Sequence, residues 1–78
     1  MKKTYLIFYY VHDGQDYVDA YPVHGLHLRY DTFLLPEMPR AYVVSNSRNQ
    51  ARKEAYKLWI DPSGRGFNKH PHPRSYAL

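Results

Sequence analysis

A chain of 78 residues with 44% hydrophobic and 17% aromatic side chains holds one small domain and excludes a multidomain enzyme. Lys and Arg number 11 against 7 Asp and Glu, a formal net charge of +4, so acidic partners are favoured over basic ones. With 0 cysteines, disulfide frameworks, thiolate zinc sites and cysteine nucleophiles all drop out, and packing alone must hold the core.

Residues 4–11, Thr-Tyr-Leu-Ile-Phe-Tyr-Tyr-Val, are dense in aromatic and β-branched types and predict a strand. Both of its alternating sets, Tyr5/Ile7/Tyr9/Val11 and Leu6/Phe8/Tyr10, are apolar. That suits a central strand covered by a helix on one side and by a loop or a second subunit on the other. Asp13-Gly14 tolerates positive φ, so residues 16–23 return as the second arm of a hairpin, with Pro22 confining that arm to an edge or a bulge. Leu26, Leu28 and Tyr30 alternate with His27 and Arg29 as a short strand, and Pro36 and Pro39 exclude a helix over 34–38. Residues 40–45 are β-type again.

A helix over 47–60 follows, capped by Ser47 with Gln50 completing a capping box. Ala51, Ala55, Leu58 and Trp59 form its apolar stripe, and Leu58 and Trp59 are expected against the first strand. Pro62 and Gly64 end it. The expectation is an α+β two-layer domain over 1–62, ββ(β)βα, with an antiparallel sheet of three to four strands and one helix packed on it. Residues 63–78 read as an irregular basic tail or a surface-hugging arm.

Lys2 and Lys3 before Leu6-Ile7-Phe8 imitate a secretory leader, but His12 and Asp13 break the run and no small-residue cleavage site follows. No other run is long enough to span a bilayer, so the expected location is the cytoplasm, without membrane contact.

Five histidines raise a metal hypothesis. His24 and His27 are three apart in a loop or strand, where that spacing points side chains to opposite faces, and His70 and His72 lie among prolines. Solvated surface histidines are the better reading, and neither metal nor cofactor is expected. Paired carboxylates and a serine elbow are likewise missing, and the glycine-rich Ser63-Gly64-Arg65-Gly66 follows a helix where a P-loop would precede one. It reads as a helix-terminating turn, and the protein as a non-enzyme.

Two signals remain. Arg48, Arg52, Lys53 and Lys57 on the helix and Arg65, Lys69 and Arg74 beyond it concentrate positive charge in the C-terminal half, suited to nucleic acid. Lys53 and Lys57 lie opposite the apolar stripe and Arg52 flanks it; a helix kept soluble by its Lys and Arg looks much the same. The 9 tyrosines exceed what so small a core absorbs, and Tyr9, Tyr17, Tyr21 and Tyr30 are the candidates for a partner-binding face. Cross-strand Tyr pairing within the sheet competes for about half of them. A homodimer would also use this surplus.

Residues 41–56, Ala-Tyr-Val-Val-Ser-Asn-Ser-Arg-Asn-Gln-Ala-Arg-Lys-Glu-Ala-Tyr, resemble a strand-then-helix unit of small bacteriophage-encoded proteins, anti-CRISPR proteins among them. The resemblance implies a non-enzymatic phage inhibitor that occupies a functional surface of a host or defence nucleoprotein complex in the bacterial cytoplasm. That group is mostly acidic or near neutral and sometimes mimics DNA; the positive balance here departs from it, which implies docking on protein or trapping of nucleic acid. The partner expected is therefore a protein or ribonucleoprotein complex of the bacterial host. The alternative is a nucleic-acid-binding accessory protein using the basic helix and tail.

Overall fold

The computed structural model describes residues 2–23 and 34–71. Strand β1 (Lys3–His12) is central, flanked by β2 (Gln15–Pro22) and β3 (Arg40–Ser45) in the order β2-β1-β3, all antiparallel. Helix α1 (Arg48–Trp59) packs across one face, chiefly over β2 and β1, and a 3-10 turn (Phe67–Lys69) follows. This is the small α+β domain expected from the sequence. Among the described residues the sheet has three strands; the strand read at 26–30 lies outside them.

The hairpin forms because Asp13 and Gly14 both accept positive φ, 52° and 77°, the twist that a two-residue connection requires. It sets a bulge-free register from His12↔Gln15 to Tyr5↔Pro22. Period-2 alternation then gives β1 two buried faces. Tyr5 and Ile7 join Val18, Ala20, Ala51, Ala55, Tyr56 and Phe67 under the helix. Leu6 and Phe8 meet Leu34, with Val23 and Met38 at the margin, on the opposite face. The second cover is thus a loop, held where Arg40 donates to the carbonyls of Leu35 and Met38 and Tyr9 N–H to Pro39.

The same register turns the backbone of even-numbered β2 residues towards the sheet's outer edge. Pro22 is one of them and has no N–H to leave unpaired there. Ala20 is another: its N–H donates to Asp19 Oδ1 (2.8 Å) and its carbonyl accepts from Arg48 Nε (3.0 Å). Arg48 Nη2 also reaches both oxygens of Asp19 at 2.7 and 2.9 Å. Asp19 is 1% exposed. Opposite Phe8 in register, it lies on the face away from the helix, so Arg48 and Arg52 reach it around the edge of β2.

Ser47 caps α1, its hydroxyl accepting from Gln50 N–H at 3.1 Å. The buried stripe is Ala51, Arg52, Ala55 and Tyr56, with Trp59 at its margin against Tyr9. Leu58, expected on the first strand, is instead 58% exposed. The helix is rotated towards Tyr56 because Arg52 must face Asp19 and Tyr56 must meet Phe67, which carries Leu58 outward.

The chain beyond residue 62 is built into this core as far as the described residues run. Phe67 is 8% exposed, edge-on to Tyr56 at 5.6 Å and beneath the Arg52 guanidinium at 5.3 Å. The tail reading of 63–78 therefore gives way, over 63–71, to a closing arm. Arg74 lies outside the described residues.

Two stability outcomes follow from this packing. Asp19→Asn leaves the Arg52 charge buried without its counter-ion and should lower unfolding stability by about 3 kcal/mol in urea titration. Phe67→Ala should cost about 3 kcal/mol by the same measurement. A loss below about 0.5 kcal/mol would return residues 63–71 to the status of an appendage.

Candidate functional site

The seven cations singled out in the sequence have divergent fates. Arg48 is held by Asp19 and Ala20. Arg52, expected at the flank of an exposed basic face, is 4% exposed, so it contributes no basic surface. Its Nε lies 3.8 Å from Asp19 and its Nη1 donates weakly to Asn49 at 3.4 Å. Burial pulls its pKa below the usual arginine value, with Arg48 adding to the shift and Asp19 opposing it. It stays protonated at neutral pH, as arginine does throughout proteins.

Lys53, Lys57, Arg65 and Lys69 have the opposite fate. Among the described residues none of the four is paired with a carboxylate. Lys53 and Lys57, one helical turn apart, share a face of α1. Asp61 builds the turn that brings the arm back beside them: its Oδ1 accepts from Ser63 N–H (3.0 Å) and from the Ser63 hydroxyl (2.8 Å). The same hydroxyl accepts from Arg65 N–H at 3.2 Å.

Gly64, at φ 77°, lies under the two lysine stems. A Cβ there would meet Lys57 Cε at 3.2 Å and Lys53 Cε at 3.7 Å. Gly66, at φ 85°, admits Tyr56, whose hydroxyl donates to the Arg65 carbonyl at 2.7 Å. The result is an open cleft of about 310 Å3 between Lys53 and the turn, with Arg65 and Lys69 on its rim and no carboxylate in its lining. A second cleft, about 390 Å3, runs between the end of β3 and α1, where Lys2 and Glu54 offset each other.

The tyrosine candidates divide as well. Tyr9 is half-buried, its hydroxyl donating to Asp16 (3.0 Å), which raises its pKa. Tyr17 stacks on its cross-strand partner Tyr10 at 5.2 Å and donates to Gln15. Tyr21 is exposed, and Tyr30 lies outside the described residues. Two residues not singled out in the sequence are more open: Tyr42 at 53% and Val44 at 63%. Tyr21 and Tyr42 flank Leu6 in one cross-strand row on the face away from α1.

Among the described residues no three His, Asp or Glu gather where a metal ion could be held, and no helix is long and apolar enough to cross a membrane. His24, His27 and His72 lie outside them. His70 sits edge-on to Tyr56 (5.1 Å) and Tyr17 (6.5 Å), with its Nε2 buried and unpartnered among the described residues.

Fold and site together define a small two-layer α+β domain with a cationic cleft at one end of its helix. Comparison with protein-family models, curated proteins and solved structures finds no match to the chain.

Burial, with the nearby Arg52 charge, holds the His70 pKa below the ordinary histidine value, Asp16 opposing. The unfolded chain then takes up its proton first as pH falls. Stability contributed by neutral His70 is present above the unfolded pKa of about 6.5 and is lost as pH falls towards the folded value. Urea titrations from about pH 7.5 down to about pH 5 should show this loss, and a smaller one in His70→Phe; an unchanged slope in the variant would remove His70 from the account.

Proposed function

We propose that this is a non-enzymatic accessory protein that docks a nucleoprotein complex and blocks it by occupancy, laying its cationic cleft along the nucleic-acid backbone. The observation that carries this reading is the gathering of Lys53, Lys57, Arg65 and Lys69, unpaired among the described residues, around an acid-free cleft. Phosphate contacts made by flexible ammonium groups position a protein on nucleic acid without reading its sequence. Occupancy needs no reacting group, and the cleft offers cations and backbone where a reaction would need a nucleophile beside a base. In line with the resemblance over residues 41–56, the partner proposed is a host or defence ribonucleoprotein complex in the bacterial cytoplasm, and the bearer a bacteriophage.

A second reading has its own support. The exposed Tyr42 and Val44, beside Tyr21 across the sheet, suit docking on a protein component through rigid aromatic surface. Salt separates the two. If four phosphates are neutralised, log affinity for a single-stranded probe of arbitrary sequence should fall against log salt with a slope of about −3, measured by fluorescence anisotropy. Replacing Lys53 and Lys57 by Ala should flatten that slope by about 1.4. A slope near zero, or no binding at low salt, overturns the nucleic-acid reading in favour of protein docking through the sheet.

A further inference from the structure

The two outer edges of the sheet are unlike. On β2 the outward main chain is interrupted, at Ala20 by Asp19 and Arg48 and at Pro22 by the missing N–H. On β3 it runs on unbroken. The tight hairpin makes His12↔Gln15 a hydrogen-bonded pair, so the even-numbered residues of β1 bond to β2 and the odd-numbered ones to β3. Tyr5 and Ile7 therefore engage Val43 and Ala41, while Tyr42 and Val44 turn their N–H and carbonyl groups outward. Among the described residues nothing bonds to those outward groups.

The side chains along this edge lack the guards that keep strands apart, such as a lysine, a proline or a bulge. No charged residue lies from Ala41 to Asn46, and Arg40 is drawn back to the carbonyls of Leu35 and Met38. Tyr42 and Val44 are more than half exposed on the face away from α1. On the other face α1 lies chiefly over β2 and β1, which leaves an open cleft where Gln50 and Glu54 stand beside Val43. Leu58, next in that helical row, is exposed as well.

We propose that β3 is a dimerisation edge: two copies pair their β3 strands antiparallel about a two-fold axis through Val43, giving one continuous sheet with three strands from each copy. The main chain requires an extended strand as occupant, since a strand edge is satisfied by another strand's alternating donors and acceptors. The register makes that strand a second β3. With the axis at Val43, Tyr42 faces the partner's Val44 and Val44 faces the partner's Tyr42, and each pair exchanges both of its N–H···O bonds. Tyr42 then packs beside the partner's Val44 as an aromatic and β-branched pair, and the row Tyr21, Leu6, Tyr42 runs on into the partner's sheet. Charge supports the same occupant: each copy carries +4, and on an uncharged strand two such copies touch without burying like charges. The arm and its cationic cleft lie on the opposite flank, where His70 meets Tyr17 of β2. Pairing leaves that cleft open, so the proposal does not rest on the nucleoprotein reading.

The test is sedimentation equilibrium of the full chain over a concentration series, with amide hydrogen exchange read at the same concentrations. Expected is a reversible monomer–dimer equilibrium in which protection of the Tyr42 and Val44 amides rises with concentration, while the Ala41 and Val43 amides, bonded to β1, are protected throughout. Val44→Lys should weaken dimerisation at least tenfold, and Val44→Pro, whose lost N–H points away from β1, should abolish it. Circular dichroism checks that both are folded, and Val44→Lys, which alters only an exposed side chain, decides the matter if the proline variant is not. A monomer at every concentration overturns the proposal and returns Tyr42 and Val44 to docking on a foreign protein. A dimer that Val44→Lys leaves intact, or whose Tyr42 and Val44 amides exchange as fast as the monomer's, overturns it too.

Discussion

A carboxylate with 1% of its surface in water is tolerable only if hydrogen bonds and a counter-ion meet its charge, and Asp19 meets that condition with groups drawn from two layers of the domain. Ala20 N–H, the Arg48 guanidinium and, farther off, Arg52 converge on it. The cluster fixes the rotation of α1, because Arg48 and Arg52 must both face the β2 edge. It also blunts that edge at its centre: the outward N–H and carbonyl of Ala20, which would otherwise invite another strand, are both occupied. Phe67 then lies under Arg52, so the arm after the helix depends on the same ion cluster.

The fold thereby sorts its cations. Arg48 and Arg52 in the first helical turns neutralise an internal charge, Arg52 leaving the surface and Arg48 keeping about half of its side chain exposed, whereas among the described residues Lys53, Lys57, Arg65 and Lys69 meet no acid. Summing charge along the helix conceals this division, since Arg48, Arg52, Lys53 and Lys57 look alike in a count. What distinguishes them is position around the helix: Arg52 shares the buried side with Ala51, Ala55 and Tyr56, and Lys53 does not.

Much of the fold was legible in the residues themselves. Asp13-Gly14 identifies the hairpin through its φ requirement, Pro22 marks the edge strand, the doubly apolar β1 announces two covers, and Ser47 starts the helix. The site was legible only in part. Lys53, Lys57, Arg65 and Lys69 stand out as charge, but their meeting depends on Gly64 lying beneath two lysine stems and on Tyr56 bonding Arg65, contacts with no periodic signature. Two signals went unused. An acidic residue between Val18 and Ala20, mid-strand, is disfavoured unless something compensates it, which pointed to a buried counter-ion. A lone Phe67 in a polar stretch marked an anchor, since so large an apolar ring gains by burial.

The bond from Tyr56 to the Arg65 carbonyl couples the arm rigidly to the helix that carries Lys53 and Lys57. The main-chain spacing of helix and arm is thus set when the protein folds, so little main-chain freedom would remain to be surrendered to a partner on contact. Under the proposed reading, a polyanion whose charges repeat at an interval matching the two main-chain anchors would engage both together, and one with a different repeat would forfeit one of them.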